Sequence, residues 1–209
     1  MFDFYPAVTR KKMSERTVAT VYFAASGPRN TERTLEIAGQ RADALGIGTV
    51  LVASTTGKTG VQATLAFADW VGHADRQLVV VSHSTGFRGP NVQEMTAESR
   101  SAIEAGGATI LTAQHAFGGV GRGVRNKMGT YQVDEIIAYT LRTFGEGMKV
   151  CAEMALMAAD AGLARVGEPA VAIAGTGRGA DTAVLLMPAN AQTFFDLRFL
   201  EVLCMPSSV

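Results

Sequence analysis

With two cysteines, three histidines and one tryptophan in 209 residues, and no excess charge of either sign, this chain is poor in several kinds of chemistry. Cys151 and Cys204 both sit inside apolar stretches, so a disulfide-dense scaffold is excluded and reduced, buried thiols in the cytoplasm are expected. No metal-ligand spacing appears among the histidines and cysteines, so no metal is expected. Nineteen basic and nineteen acidic residues cancel, leaving no overall field to draw in nucleic acid or an anionic membrane. No apolar run approaches the ~18 residues of a transmembrane helix. Arg10-Lys11-Lys12 ahead of Val18–Ala25 imitates a signal peptide, but the run is short, and its Thr20, Tyr22 and β-branched residues suit a strand. A hydrophobic fraction of 47% against 18% charged residues belongs to a globular chain. Its length suffices for one sizeable core plus an appendage, here an N-terminal arm over 1–17 and a single domain over 18–209.

What the chain has is a repeated pattern. Five apolar runs end in small, hydroxyl-bearing or histidine-bearing loops: Ser26-Gly27, Ser54-Thr55-Thr56-Gly57, His83-Ser84-Thr85-Gly86, Gln114-His115 and Gly175-Thr176-Gly177. The first four loops start at 26, 54, 83 and 114, spacings of 28, 29 and 31 residues, close to the ~30 of a strand-plus-helix unit. Parallel strands would gather these loops at the carboxyl edge of one sheet, where open α/β folds bind ligands.

The runs predict strands over Val18–Ala25, Thr49–Ala53, Leu78–Ser82, Thr109–Ala113 and Ala170–Ala174. Between them the apolar period predicts helices from Asn30 or Thr31 to Gly46, from Gly60 to Trp70, and from Val92 to Glu104. Residues 115–129 break the pattern. Glycines at 118, 119, 121 and 123 with Arg122, Arg125 and Lys127 read as a mobile basic loop, either a lid or anion clamp or an irregular connection with solvated charges. Helices follow over 133–144 and over Met148–Ala161, the second apolar nearly all round. It carries Lys149, Glu153 and Asp160 on one face, with a structural Lys149–Glu153 pair expected and a ligand-facing carboxylate left open. Only Gly175–Asp181 separates the fifth strand from Thr182–Met187, too short for a parallel crossover, so these two pair antiparallel. Phe199–Cys204 could add a final strand.

Two loops imitate nucleotide motifs and fail on context. Ser54-Thr55-Thr56-Gly57-Lys58-Thr59 lies between strand and helix, where free N–H groups, hydroxyls and the helix dipole suit a phosphate, with Lys58 close by. It is no Walker A loop, because Val52 stands where that pattern needs glycine. Gly175-Thr176-Gly177-Arg178-Gly179 with Asp181 and Thr182 resembles a dinucleotide fingerprint but precedes a strand, not a helix. A tight glycine loop bringing backbone and Arg178 to an anion is the surviving reading, with Asp181 free to pin the turn. His83 and His115 each follow a strand at the same edge, with no acidic partner placed by sequence; ligand contact, acid–base work or a plain loop contact all fit. No G-x-S-x-G elbow supports a serine hydrolase. His73 reads as surface.

Taken together the loops resemble the C-terminal domain of pyruvate kinase, and more closely the stand-alone proteins of that domain's family. The residues that carry this are Asn30-Thr31 with Thr34-Leu35, Val52–Thr59, His83 with Gly86-Phe87, His115, Gly147–Glu153 with Met157–Gly162, and Gly175–Pro188, spread over about residues 18–206. The resemblance implies a three-layer α/β/α fold with a mixed sheet of about five strands, ordered 3-2-1-4-5, the fifth antiparallel. The resemblance implies a protein without the kinase's catalytic barrel, so kinase activity is not expected to carry over. The histidine-bearing third and fourth loops depart from the kinase pattern and speak against a sugar bisphosphate effector. The resemblance implies instead flavin mononucleotide as the bound cofactor. Ser54, Thr55, Thr56, Gly57, Lys58 and Thr59 would hold its phosphate, beside Ser26, Asn30 and Thr31. Gly175, Thr176, Gly177, Arg178, Gly179, Asp181 and Thr182 would close one side, and His83, Gly86, Phe87 and His115 would line the ring or sugar. A binding protein without a reaction, a flavin oxidoreductase or phosphate-ester enzyme using His83, His115 or Asp181, and a structural subunit of a homo-oligomer are the three functional classes compatible with this reading.

Overall fold

A computed structural model describes residues 15–207. All but three residues of the expected N-terminal arm therefore lie outside the described residues. In chain order the elements are β1 (Val21–Phe23), α1 (Thr31–Leu45), β2 (Thr49–Ala53), α2 (Lys58–Ala66), β3 (Gln77–Ser82), α3 (Ala97–Ala105), β4 (Thr109–Thr112), α4 (Val120–Met128), α5 (Val133–Arg142), α6 (Glu146–Asp160), β5 (Ala170–Ala174), β6 (Thr182–Met187) and β7 (Arg198–Pro206). They form one mixed sheet of seven strands in the order β1-β7-β6-β5-β2-β3-β4.

The β5–β6 hairpin is antiparallel, Ala170 opposite Leu186 and Ala174 opposite Thr182, as the short connection required. Counted from β2, the run β4-β3-β2-β5-β6 is the expected 3-2-1-4-5 order with an antiparallel fifth strand. The sheet is wider than five strands because β7 adds antiparallel to β6 and β1 adds parallel to β7. The first strand thus sits at the far edge instead of beside β2, and is shorter than Val18–Ala25. An edge place explains both: it pairs on one side only, and Tyr22 faces solvent. With β7 running parallel to β5, the carboxyl ends of β1 through β5 still share one rim.

Helices cover both faces. On one, Leu35, Ala38 and Ala42 of α1, Ala63 of α2 and Ile103 of α3 pack on Val50, Val52, Leu78, Val80, Val171 and Ile173. On the other, Met148, Cys151, Met154, Ala155 and Ala158 of α6 pack on Leu51, Val79, Val81, Ala172 and Val184. Alternate residues of β2, β3 and β5 thus enter opposite cores, the cause of their unbroken apolar runs. Each fully buried valine, leucine or isoleucine contributes roughly 1.5–3 kcal/mol of burial. Gly60 lets α2 come down onto this core, for a Cβ there would stand 2.7 Å from Ile103 Cδ1 and 2.8 Å from Val80 Cγ1.

Two further expectations fail. Residues 120–128 form a helix, not a loose loop. Its support is tertiary: Arg125 Nε lies 3.1 Å from Glu135 on α5, and Gly121 lies where a Cβ would meet Asp134 Oδ1 at 2.3 Å. Glycine here permits close helix contact instead of disorder. The helix expected from Val92 starts at Ala97, capped by Thr96 Oγ1 accepting from the Ser99 N–H. Residues 92–96 are held elsewhere, Glu94 by the His83 ring and Gln93 by the His83 carbonyl.

Candidate functional site

The loops after β2 and β5 leave neighbouring parallel strands at the same rim, so residues 54–59 and 175–182 share that edge. Their local chemistry differs. Ser54 is buried, its Oγ accepting from the Gly60 N–H, so this hydroxyl is committed to the start of α2. Thr59 is also buried, whereas Thr56 and Lys58 are exposed. Backbone N–H groups of Thr56 through Thr59 meet no protein acceptor among the described residues, as the first turn of a helix dictates. They lie at the positive end of α2, beside the rim, with Gly57 packed against Ser99 of α3.

Gly175–Thr182 is knotted into the fold. Asp181, 0% exposed, accepts from the Gly27 N–H at 2.9 Å, the Thr176 N–H at 3.1 Å and the Thr182 hydroxyl at 2.9 Å. Thr31 Oγ1 accepts from the Ala180 N–H and donates to the Pro28 carbonyl. Asn30 is buried and donates to the Ala25 carbonyl. A Cβ on Gly179 would lie 2.5 Å from Pro28 Cα. The structure thus places Asn30, Thr31, Gly179, Asp181 and Thr182 in a joint between the β1–α1 and β5–β6 turns. Gly177 and Arg178 remain exposed, and Ser26, Gly175 and Thr176 are half-buried.

The chemistry concentrates over β2, β3 and β4. His83 Nδ1 is 2.7 Å from Glu94 Oε2, and its Nε2 is 3.3 Å from Thr55 Oγ1. His115 Nδ1 is 3.6 Å from Glu153 Oε2, while its Nε2 accepts from the Ser84 N–H at 3.4 Å. The Glu94 carboxylate fixes the His83 proton on Nδ1 and leaves Nε2 as acceptor toward Thr55. Their centroids are 5.1 Å apart, and Phe87 lies 4.2 Å from His83 and 5.1 Å from His115. The Arg122 guanidinium sits 4.9 Å from the Phe87 centroid. Gly86, at φ 93°, turns the chain so that Phe87 folds back over the histidines.

Burial lowers the His83 pKa below its ordinary value, with the Glu94 hydrogen bond opposing only in part, so the ring is neutral at pH 7. Burial also resists ionisation of Glu94, but bonds from His83 and Arg88 outweigh it and lower that pKa. Burial opposes the Glu153 charge more strongly, yet His115 and the contacting Lys149 hold its pKa at about 2. Glu153 also accepts from the Phe117 N–H at 2.9 Å. The expected Lys149–Glu153 pair is present and buried, and the same carboxylate serves His115. Asp160 turns away to Asn190 and Ala191.

Beside the rings, next to Ser84, opens a cleft of about 530 Å³ lined by Thr85, Thr112, Gln114, Gly119 and Val120 among others. Arg122 reaches the site from the basic glycine-rich segment, but as part of a helix. Glu94 is marked by no signal in the sequence. It sits in a loop without periodicity, held by Arg88 and beside Gln93, which bonds the His83 carbonyl. Only the Lys149–Glu153 spacing on a buried helix hints at a carboxylate.

The chain matches no known family model. Among solved structures, a pyruvate kinase from Cryptosporidium parvum aligns at 9% identity and a TM-score of 0.38, covering 76% of this chain and 23% of that one. The same organism's pyruvate kinase in complex with ADP aligns at 10% identity and 0.35, covering 75% and 23%. An O-ureido-L-serine synthase aligns at 16% identity and 0.29, covering 63% and 48%. The chain spans about a quarter of the pyruvate kinases, and likeness at these scores carries no argument about ligand or activity. The class is set by the protein's own architecture: a three-layer α/β protein with a mixed sheet whose polar loops gather at one rim.

Proposed function

We propose that the rim over β2, β3 and β4 binds a phosphate-bearing small molecule, with flavin mononucleotide, the ligand implied by the sequence resemblance, as the candidate. The supporting observation is the contact between Thr55 and His83 at 3.3 Å, which joins the N–H-rich turn before α2 to the ring shelf of His83, Phe87 and His115. A phosphate on that turn would take the N–H groups of residues 56–59, the Thr56 hydroxyl and Lys58. A planar ring would lie along Phe87, next to the cleft of about 530 Å³ that Ser84, Thr85 and Gln114 line. Gly175–Thr182 contributes to this reading through its exposed members Gly177 and Arg178.

Titration with flavin mononucleotide, followed by quenching of flavin fluorescence, tests this. Thr56→Ala combined with Lys58→Ala is expected to weaken binding at least tenfold, since a bond to a charged group is worth roughly 1.5–3 kcal/mol. Riboflavin, which lacks the phosphate, should bind equally poorly to both proteins. Unchanged affinity in the double variant sinks the phosphate site. A homo-oligomer is proposed on a separate observation: Val133, Ile136, Tyr139 and Phe144 expose apolar surface on and just after α5. Solution mass of Ile136→Glu against the parent tests it, the variant being the smaller species. The free, buried thiols of Cys151 and Cys204 fit the reducing cytoplasm proposed for the chain. No helix among the described residues is long and apolar enough to cross a membrane.

A further inference from the structure

We propose that Thr55, His83 and Glu94 form a hydroxyl–imidazole–carboxylate relay, and that the rim hydrolyses a carboxylic ester through an acyl-threonine. This goes beyond the binding reading, and neither requires the other.

The three groups stand in working order. Glu94 Oε2 receives the His83 Nδ1 proton at 2.7 Å, which fixes ring and tautomer and leaves Nε2 to accept from the Thr55 hydroxyl at 3.3 Å. Thr55 occupies the turn between β2 and α2, where a hydroxyl stands beside the unbonded N–H groups of the helix start. A negative oxygen formed on a substrate carbonyl there meets donors already in place. Support also comes from the neutrality of His83 at pH 7, for a base must be unprotonated to work.

The surroundings select the substrate class. Charged and titratable groups facing His83 are Glu94, His115 and, behind His115, Glu153. Arg88 is bound to Glu94 and Arg122 lies over Phe87. Phosphoryl transfer draws on a clamp of several cations or metal ions on the transferring oxygens, and the turn offers Lys58 alone; a neutral ester carbonyl needs only its N–H donors. In the first step the Thr55 proton passes to His83 Nε2, the Thr55 oxygen bonds the carbonyl carbon, and the carbon–alkoxide bond breaks. The leaving alcohol takes the proton from His83. Water then gives a proton to His83, its oxygen bonds the acyl carbon, the bond to Thr55 breaks, and Thr55 recovers the proton. Glu94 is a positioning residue.

The test incubates the full chain with p-nitrophenyl acetate and, separately, with an alkyl fluorophosphonate, whose fluoride Thr55 would displace. One fluorophosphonate per chain on the Thr55 peptide, by mass spectrometry, and an ester burst of one equivalent are expected. Thr55→Val and His83→Gln lower the ester rate by about 10²–10⁴-fold, and Thr55→Ser restores labelling. Glu94→Gln lowers kcat and moves the acidic limb of the pH–rate profile to lower pH, because the carboxylate raises the His83 pKa; Glu94→Asp recovers part of both. Thermal melting shows which variants are folded. Absence of label, or label that persists in Thr55→Val, overturns the relay, as does an unmoved pH limb in Glu94→Gln. A protein that binds flavin mononucleotide but is never labelled loses only the relay, and one labelled without binding it loses only the binding reading.

Discussion

The turns after β5 and after β3 leave the same rim two strands apart, each rich in glycine and hydroxyls, and the fold uses them in opposite ways. After β5, Asp181 is fully enclosed and its three bonds all go to the protein's own N–H and O–H groups. After β3, His83 is anchored by Glu94 on Nδ1 and turns Nε2 to the half-buried Thr55 hydroxyl, while after β4 His115 stands between Glu153 and the Ser84 N–H. A buried carboxylate saturated by its own turn holds a fold together; a ring nitrogen whose partner is a half-buried hydroxyl at the rim can exchange that partner for another. This contrast reassigns Gly175–Thr182 mainly to architecture and concentrates chemistry over β2, β3 and β4.

The largest effect that tests the contrast is expected at the enclosed turn. Asp181→Ala leaves the Gly27 N–H and the Thr182 hydroxyl buried without their acceptor, a loss of roughly 2–6 kcal/mol at about 1–3 kcal/mol per group. Urea unfolding measures it, and a loss under about 1 kcal/mol, the lower bound for a single group, would erase the distinction between the two turns. Glu153→Gln comes next, at roughly 3–5 kcal/mol, because it strands Lys149 inside the protein. Changing Lys149 to Met in the same chain should recover most of that stability.

Acid unfolding sharpens the same point. A folded Glu153 pKa of about 2 lies below the ~4.3 of an unfolded glutamate. Its stabilisation is therefore complete above that unfolded value and is lost as pH falls toward 2. The Glu153→Gln variant should lack this component of the stability–pH curve. The smallest effect belongs to His83, read by NMR titration. Its folded pKa lies below the ordinary value, so any stability tied to its neutral form is present above about pH 6.5 and declines as pH drops through the depressed pKa. Titration of His83 above about 6.5 would contradict the burial seen around it.

Much of the fold is legible in the chain because its signals are local. Unbroken apolar runs such as Leu78–Ser82 advertise strands covered on both faces, and the short link before Thr182 forces the hairpin. The failures share one cause. α4 reads as a loose loop because glycine is judged by its conformational freedom, while Gly121 serves a close approach to Asp134 on α5. α3 begins late because Glu94 is drawn to His83, a partner eleven residues away that no period encodes. β1 sits beside β7, almost the whole chain away from it in sequence.

For the site, the strand-end positions of Thr55, His83 and His115 follow from the spacing of the apolar runs alone, since a strand fixes where its next residue emerges. That Glu94 and Glu153 complete those histidines, and that Asp181 is consumed by its own turn, was decided only on folding. Hydrogen bonds between residues distant in sequence depend on which elements pack side by side, and no local propensity carries that information.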